Sequence, residues 1–169
     1  MNNYRLLPVY VVAFFSLTAH AASDVAPVSN ILYKNDCSAC HMAYQPGLLP
    51  ARSWQKIMNN LADHFGENAE LDDTDRKAIM DYAMQNAADT SSFKRSKSIM
   101  KSLSSNDTPL RISETKYIKR KHRELSNKHV KDNPKVKSLS RCEACHTKAD
   151  TGSYSEREIN IPGFGRWDD

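Results

Sequence analysis

All four cysteines of this 169-residue chain lie in two copies of one short pattern, C-x-x-C-H. The pattern is the attachment signature of a c-type haem: two thiols add across the two vinyl groups, and the histidine that follows binds the iron. The sequence therefore predicts two covalently bound haem c groups. The expected thioether attachment residues and proximal iron ligands are Cys37, Cys40 and His41 in the first motif and Cys142, Cys145 and His146 in the second.

Three other uses of paired cysteines fit less well. Zinc sites built from two C-x-x-C pairs usually have about 15–20 residues between the pairs, whereas residues 41–141 separate the pairs here. A thioredoxin-like redox motif needs a βαβ context, which neither motif has. Two short disulfides would leave the histidine after each pair unexplained. The haem interpretation gives a role to every cysteine and to the histidine of each motif.

The N-terminus predicts export. One positive charge in residues 1–5 precedes residues 6–17, of which ten in twelve are apolar, and Ala19-His20-Ala21 resembles a signal-peptidase site. The apolar stretch is short for a membrane span, which needs about 20 residues. We therefore expect a signal peptide over residues 1–21, cleaved near Ala21, and a periplasmic protein without stable membrane insertion.

The formal charge of +4 is unevenly distributed along the chain. Residues 22–90 carry five Lys or Arg against ten Asp or Glu, whereas residues 91–169 carry 18 against 10. Such an asymmetry orients a docking partner more plausibly than it binds nucleic acid, particularly in an exported chain. We expect no nucleic-acid partner.

Helical periodicity and capping residues predict a mainly α protein with little regular structure near the C-terminus. The expected helices span residues 30–41, 53–65, 72–88 and 113–125. Residues 90–109 are rich in Ser and Lys and are predicted to form a basic linker, which can include one basic helical turn around residues 94–103. The tail, residues 159–167, is predicted to be irregular and to cover the second haem.

The sixth iron ligands are chosen from few residues. His64 follows the second predicted helix, and we favour it as the distal ligand of the first haem, with a methionine as its rival. His122 shares a helix face with Ile118 and Leu125, so it can point into an apolar pocket at the second haem. His129 is the runner-up there, and an open or methionine-bound iron is the remaining alternative.

With these motifs, the flanking segments resemble the dihaem cytochrome c family of small bacterial periplasmic proteins. The segments concerned are residues 54–69, 111–125 and 155–162. The resemblance implies an N-terminal class I cytochrome c-like haem domain over residues 22–89 and a small, irregular C-terminal haem domain over residues 110–169. It implies bis-histidine ligation at both haems, with His64 and His122 as distal ligands. Relatives pass electrons to a terminal haem protein, including an oxygen-binding high-spin monohaem cytochrome.

The function expected from this sequence is electron transfer between redox partners by a monomer, without catalysis. The expected partners are an upstream cytochrome or quinol-linked donor and a downstream haem protein. The alternatives are a small haem enzyme, such as a peroxidase or sulfur-compound oxidase, and a gas or redox sensor. Both alternatives require one iron with an open coordination position.

Each half of the mature chain is too small for apolar burial alone to stabilise it by more than a few kcal/mol. Because haem supplies both covalent bonds and apolar surface, we expect the haem-free chain to remain unfolded. Far-UV circular dichroism of the chain produced without haem tests this expectation. Native-like helicity in that sample would contradict it.

Overall fold

The computed structural model describes residues 23–167, and within them the protein is mainly α, as predicted. The predicted signal peptide lies outside the described residues. The α-helices are α1 (Ile31–Cys37), α2 (Ala51–Met58), α3 (Asp73–Gln85), α4 (Lys94–Lys101) and α5 (Lys116–Lys121). Short 3₁₀ turns connect them, and one two-stranded antiparallel hairpin, β1 (Asn160–Ile161) with β2 (Gly165–Arg166), lies near the C-terminus.

Helices α1, α2 and α3 enclose the first core. Asn30 caps α1 by accepting from the Tyr33 N–H at 2.9 Å, and Asp72 caps α3 by accepting from two N–H groups. The Trp54 indole N–H donates to the Pro46 carbonyl at 2.8 Å, and its ring meets that of Tyr33 edge to face. These contacts place the first C-x-x-C-H motif, which begins at the last residue of α1, beside the core.

All four predicted helices are shorter in the structure than expected, and the second and fourth end well before the residues predicted. The second ends at Met58 and gives way to a 3₁₀ turn, Leu61–Asp63, so that His64 follows a turn. The fourth has only six residues, from Lys116 to Lys121. Trp54, Met58 and Leu61 are still buried, whereas Phe65 is exposed. In both places the backbone has left the α-helix before it reaches the histidine.

Residues 90–109, which were expected to form a linker, contain the two-turn helix α4. Its Ile99 is fully buried, and the helix packs against α5 and against the 3₁₀ turn Pro46–Leu48. Lysines on the exposed side gave this segment its basic, low-periodicity appearance. The buried side helps to form a second core, whose members come from both ends of the chain: Val25, Leu48, Ile99, Tyr117, Ala149 and Tyr154.

The start of the described chain is bound to the C-terminal half. We call residues 23–25 the N-terminal strap. The backbone N–H groups of Asp24 and Val25 both donate to the Gly152 carbonyl, at 2.9 and 3.2 Å, and the Tyr154 N–H donates to the Asp24 carboxylate at 2.7 Å. The strap therefore ties together residues about 130 positions apart. Among residues 23–167, no helix combines the length and apolar character needed to cross a membrane.

We predict that Gly152→Ala destabilises the protein much more than Gly163→Ala. Both glycines have positive φ, 79° and 84°, so each alanine costs roughly 1–2 kcal/mol of backbone strain. A Cβ on Gly152 would in addition lie 2.4 Å from the Val25 carbonyl oxygen, whereas one on Gly163 meets nothing within 4 Å. That clash adds about 1–3 kcal/mol. Urea unfolding of the two variants measures the difference, and equal losses would contradict it.

Candidate haem centres

The first motif bends away from α1 immediately after Cys37. Ser38 caps the helix, Cys37 is half-buried and Cys40 is exposed, so the motif leaves the core as a tight turn. His41 Nδ1 lies 2.8 Å from the Met42 carbonyl, which fixes the orientation of the imidazole. The His41 ring also stacks on Tyr44, with centroids 4.8 Å apart.

His64 faces His41. Their ring centroids are 6.1 Å apart and their planes differ by 23°. A tight turn holds His64 in place, because its N–H donates to the Glu67 carbonyl at 2.8 Å. Within that turn Phe65 and Gly66 both have positive φ, 61° and 98°, an unusual conformation for phenylalanine.

The second motif lies on irregular backbone. A 3₁₀ turn, Cys142–Ala144, leads into His146, and the next residues pair with the segment before β1. The Asn160 N–H donates to the Cys145 carbonyl at 2.9 Å, and the Thr147 N–H donates to the Glu158 carbonyl at 3.2 Å. These bonds replace the helix that supports the first motif.

His122 faces His146, with ring centroids 6.0 Å apart and planes at 77°. His122 caps the C-terminus of α5, and its Nδ1 lies 2.9 Å from the Ile118 carbonyl. Both histidines line one cavity, which we call the second haem cavity. Its wall is largely apolar and includes Leu48, Ile118, Leu125, Val136, Ile161 and Trp167.

The spacing of both histidine pairs fits a metal ion between them. A metal–imidazole bond of about 2 Å on each side places two ring centroids roughly 6 Å apart. The observed separations are 6.1 and 6.0 Å. Each pair also has one C-x-x-C motif directly preceding one of its histidines, which is the arrangement that a covalently attached haem requires.

Burial favours the neutral form of four side chains at the two centres: His64, His146, Cys37 and Cys142. It lowers the pKa of His64, and burial followed by the nearby His122 lowers the pKa of His146 to about 4. Burial likewise raises the pKa of the Cys37 and Cys142 thiols to about 12. Neutral imidazole is the metal-binding form of histidine, so these environments suit ligation of an apolar cofactor.

The remaining candidate ligands lie elsewhere. His129 is buried, accepts from the Ser126 N–H at 3.0 Å, and packs edge to face against Phe164 and Trp167. It anchors the C-terminal hairpin and does not face His146. Met58, Met80 and Met84 pack with the first core.

The two motifs do not converge on a common metal. Within residues 23–167, no group of three or more His, Cys, Asp or Glu side chains is arranged to hold a metal ion, as a zinc site shared by both motifs would require.

Tyr44, which sequence reasoning did not single out, lies between the two centres. Its ring stacks on His41 of the first motif, and its hydroxyl donates to the Ser140 carbonyl at 2.5 Å. The Cys142 sulfur lies 3.8 Å from the same carbonyl. A short chain of contacts therefore joins the proximal histidine of one motif to an attachment cysteine of the other. One tyrosine among seven carries no sequence signal of this role.

Arg95 and Arg111 were also missed. Arg95 reaches the wall of the second haem cavity from α4. The Arg111 guanidinium lies 3.9 Å from the centre of the Phe65 ring, next to His64. Both residues come from a basic region in which no single charge stands out by sequence.

Comparison with known proteins identifies the family. The family model described as dihaem cytochrome c matches residues 33–154. A diheme cytochrome type c from Shewanella baltica OS155 is 42% identical, with a TM-score of 0.69 over 82% of this chain and 98% of that one. The diheme cytochrome c from Rhodobacter sphaeroides is 46% identical, with a TM-score of 0.69 over 77% of this chain and 100% of that one. The search of curated proteins finds no match.

The family model covers well over half of the chain, and the solved relatives match it across almost their whole length. The paired motifs and facing histidines agree with these matches. The protein therefore belongs to the dihaem cytochrome c family, with two covalently bound c-type haems and haem-based electron transfer.

Proposed function

We propose that this protein is a periplasmic electron shuttle whose two haems are both six-coordinate, each with two histidine ligands. The observation that carries the proposal is the pair of facing imidazoles at each motif, 6.1 and 6.0 Å apart. A haem iron supplies reversible one-electron exchange between its ferric and ferrous forms. We call the haem of the first motif haem 1 and that of the second haem 2.

The proposed roles follow from the placement of the side chains. Cysteines of each motif form the thioether bonds, the adjacent histidine is the proximal ligand, and the facing histidine is the distal ligand. For haem 1 these residues are Cys37, Cys40, His41 and His64, and for haem 2 they are Cys142, Cys145, His146 and His122.

Backbone carbonyls support one histidine at each centre. His41 Nδ1–H donates to the Met42 carbonyl and His122 Nδ1–H to the Ile118 carbonyl, which leaves Nε2 of each ring for the iron. Such bonds fix the tautomer and make the imidazole a stronger donor. Strong donation stabilises ferric iron, so we expect both reduction potentials to be lower than that of a His/Met cytochrome.

Closed irons favour a carrier over an enzyme or a sensor. A peroxidase, an oxidase or a gas sensor needs a coordination position that its substrate or ligand can reach. Here a histidine faces each proximal ligand, and the wall around His122 is largely apolar. The arrangement supports electron exchange without binding of a substrate at iron.

The proposed location and partners rest on the sequence and on charge. Residues 1–21 have the features of a signal peptide, and covalent haem attachment accords with export. The N-terminal half of the sequence carries a net negative charge and the C-terminal half a net positive charge. We propose other redox proteins as partners, one of them docking on the basic side.

We predict two low-spin ferric EPR signals of different shape and no carbon monoxide binding after reduction. Imidazole planes only 23° apart split the π-type d orbitals of iron, whereas planes at 77° leave them nearly degenerate. Haem 1 should therefore give a rhombic signal, and haem 2 a more anisotropic one with a larger maximum g value. A high-spin signal together with a carbon monoxide shift would favour the enzyme or sensor alternative.

We also predict which histidine variants open a haem. His64→Ala and His122→Ala should each abolish one low-spin signal and create one carbon monoxide site, at haem 1 and haem 2 respectively. His129→Ala is the control: it should keep both low-spin signals and lose about 1–2 kcal/mol of stability with its cap and ring contacts. Loss of a low-spin signal in His129→Ala but not in His122→Ala would overturn the assignment.

A further inference from the structure

A mostly buried arginine forms part of the wall of the second haem cavity. Arg95 projects from α4, and its side chain is 15% exposed. Lys121 and Arg141 also line this cavity, but their side chains are 43% and 46% exposed. Solvent therefore screens the charges of Lys121 and Arg141 far more than that of Arg95.

The guanidinium of Arg95 is held from several sides. It donates to the Tyr154 carbonyl at 3.1 Å and to the Tyr117 hydroxyl at 3.4 Å, and it lies 5.3 Å from the centre of the Tyr154 ring. The same Tyr154 ring meets His146 edge to face, with centroids 5.3 Å apart. One aromatic ring thus separates a fixed positive charge from the proximal histidine of haem 2.

Asp24 of the N-terminal strap pairs with this charge but does not cancel it. Its carboxylate lies 3.2 Å from Arg95 Nη2, and its side chain is 31% exposed, twice the exposure of the arginine. Arg95 Nε is buried and has no hydrogen-bond partner among the described residues. Solvent therefore screens the guanidinium less than its partner carboxylate, which leaves a net positive charge from this pair next to Tyr154 and His146.

We propose that Arg95, positioned by Asp24, raises the reduction potential of haem 2 by favouring its ferrous form. Reduction adds one negative charge to the haem, and a nearby positive charge in a poorly solvated wall stabilises the added charge. The inference rests on the proposed ligation of haem 2 by His122 and His146. Arg95 does not contact the iron in this proposal; its charge acts on the iron through space.

Haem 1 has a weaker counterpart. The Arg111 guanidinium lies over Phe65, beside His64, but its side chain is 41% exposed and Glu114 lies 3.8 Å away. Solvent and this carboxylate screen its field. Changes at Arg95 should consequently act on haem 2 and leave haem 1 nearly unaffected.

The test is a redox titration of the haem-loaded protein followed by EPR, in which the two signals report each potential separately. His122→Ala identifies the signal of haem 2. We expect Arg95→Gln to shift the haem 2 potential to a more negative value and Asp24→Asn to shift it to a more positive value, without movement of haem 1. Lys97→Gln, which removes the same charge from the exposed side of α4, should shift neither potential.

Arg95→Lys guards against a purely structural explanation. It keeps the charge but loses much of the hydrogen bonding, so its haem 2 potential should lie near that of the wild type. If Arg95→Gln fails to assemble, the other two variants still test the inference. A positive shift of the haem 2 potential in Asp24→Asn, together with almost no shift in Arg95→Lys, would support it.

Two results would overturn it. One is an unmoved haem 2 potential in assembled Arg95→Gln or in Asp24→Asn. The other is a shift of the same sign when either partner is neutralised, since that indicates solvent entry. In both cases the wild-type low-spin signals would still support the proposed ligation. A high-spin haem 2 in the wild type would instead refute the ligation and this inference with it.

Discussion

Each centre depends on holding two imidazoles about 6 Å apart without letting them collapse together. The backbone conformation around each distal histidine meets this requirement. A turn containing Phe65 and Gly66 at positive φ presents His64, and the end of α5 presents His122, whose ring is fixed by the Ile118 carbonyl. The C-terminal half has little regular secondary structure, and two members of the second core, Leu48 and Tyr154, line the cavity that His122 and His146 share. There the cofactor takes the place of a conventional hydrophobic core.

The residues proposed to bind the haems could be named from the sequence because haem attachment restricts their spacing. C-x-x-C-H admits few interpretations, and once the two motif histidines are assigned only His64, His122 and His129 remain as histidine candidates in the mature chain. Apolar periodicity distinguished His122 from His129 only in part. The structure separates them by their surroundings, since His129 is enclosed by Phe164 and Trp167 while His122 faces His146.

What sequence reasoning missed depends on contacts between distant segments. The sequence indicated a basic helical turn around residues 94–103 but not its packing, because the buried face of α4 consists of Arg95, Ser96 and Ile99, a pattern too short and too polar to predict a packed helix. Its role becomes visible only when Asp24, Tyr117 and Tyr154 surround the arginine. Tyr44 was missed for the same reason, because its partner Ser140 lies 96 positions away.

Because of the N-terminal strap, the two centres depend on different parts of the chain. His41, His64 and the buried members of the first core all lie within residues 33–87, so that centre draws mainly on the first half of the chain. The second centre also needs Gly152 and Tyr154, which bind the N-terminal strap. The two ends of the described chain therefore meet beside the second centre.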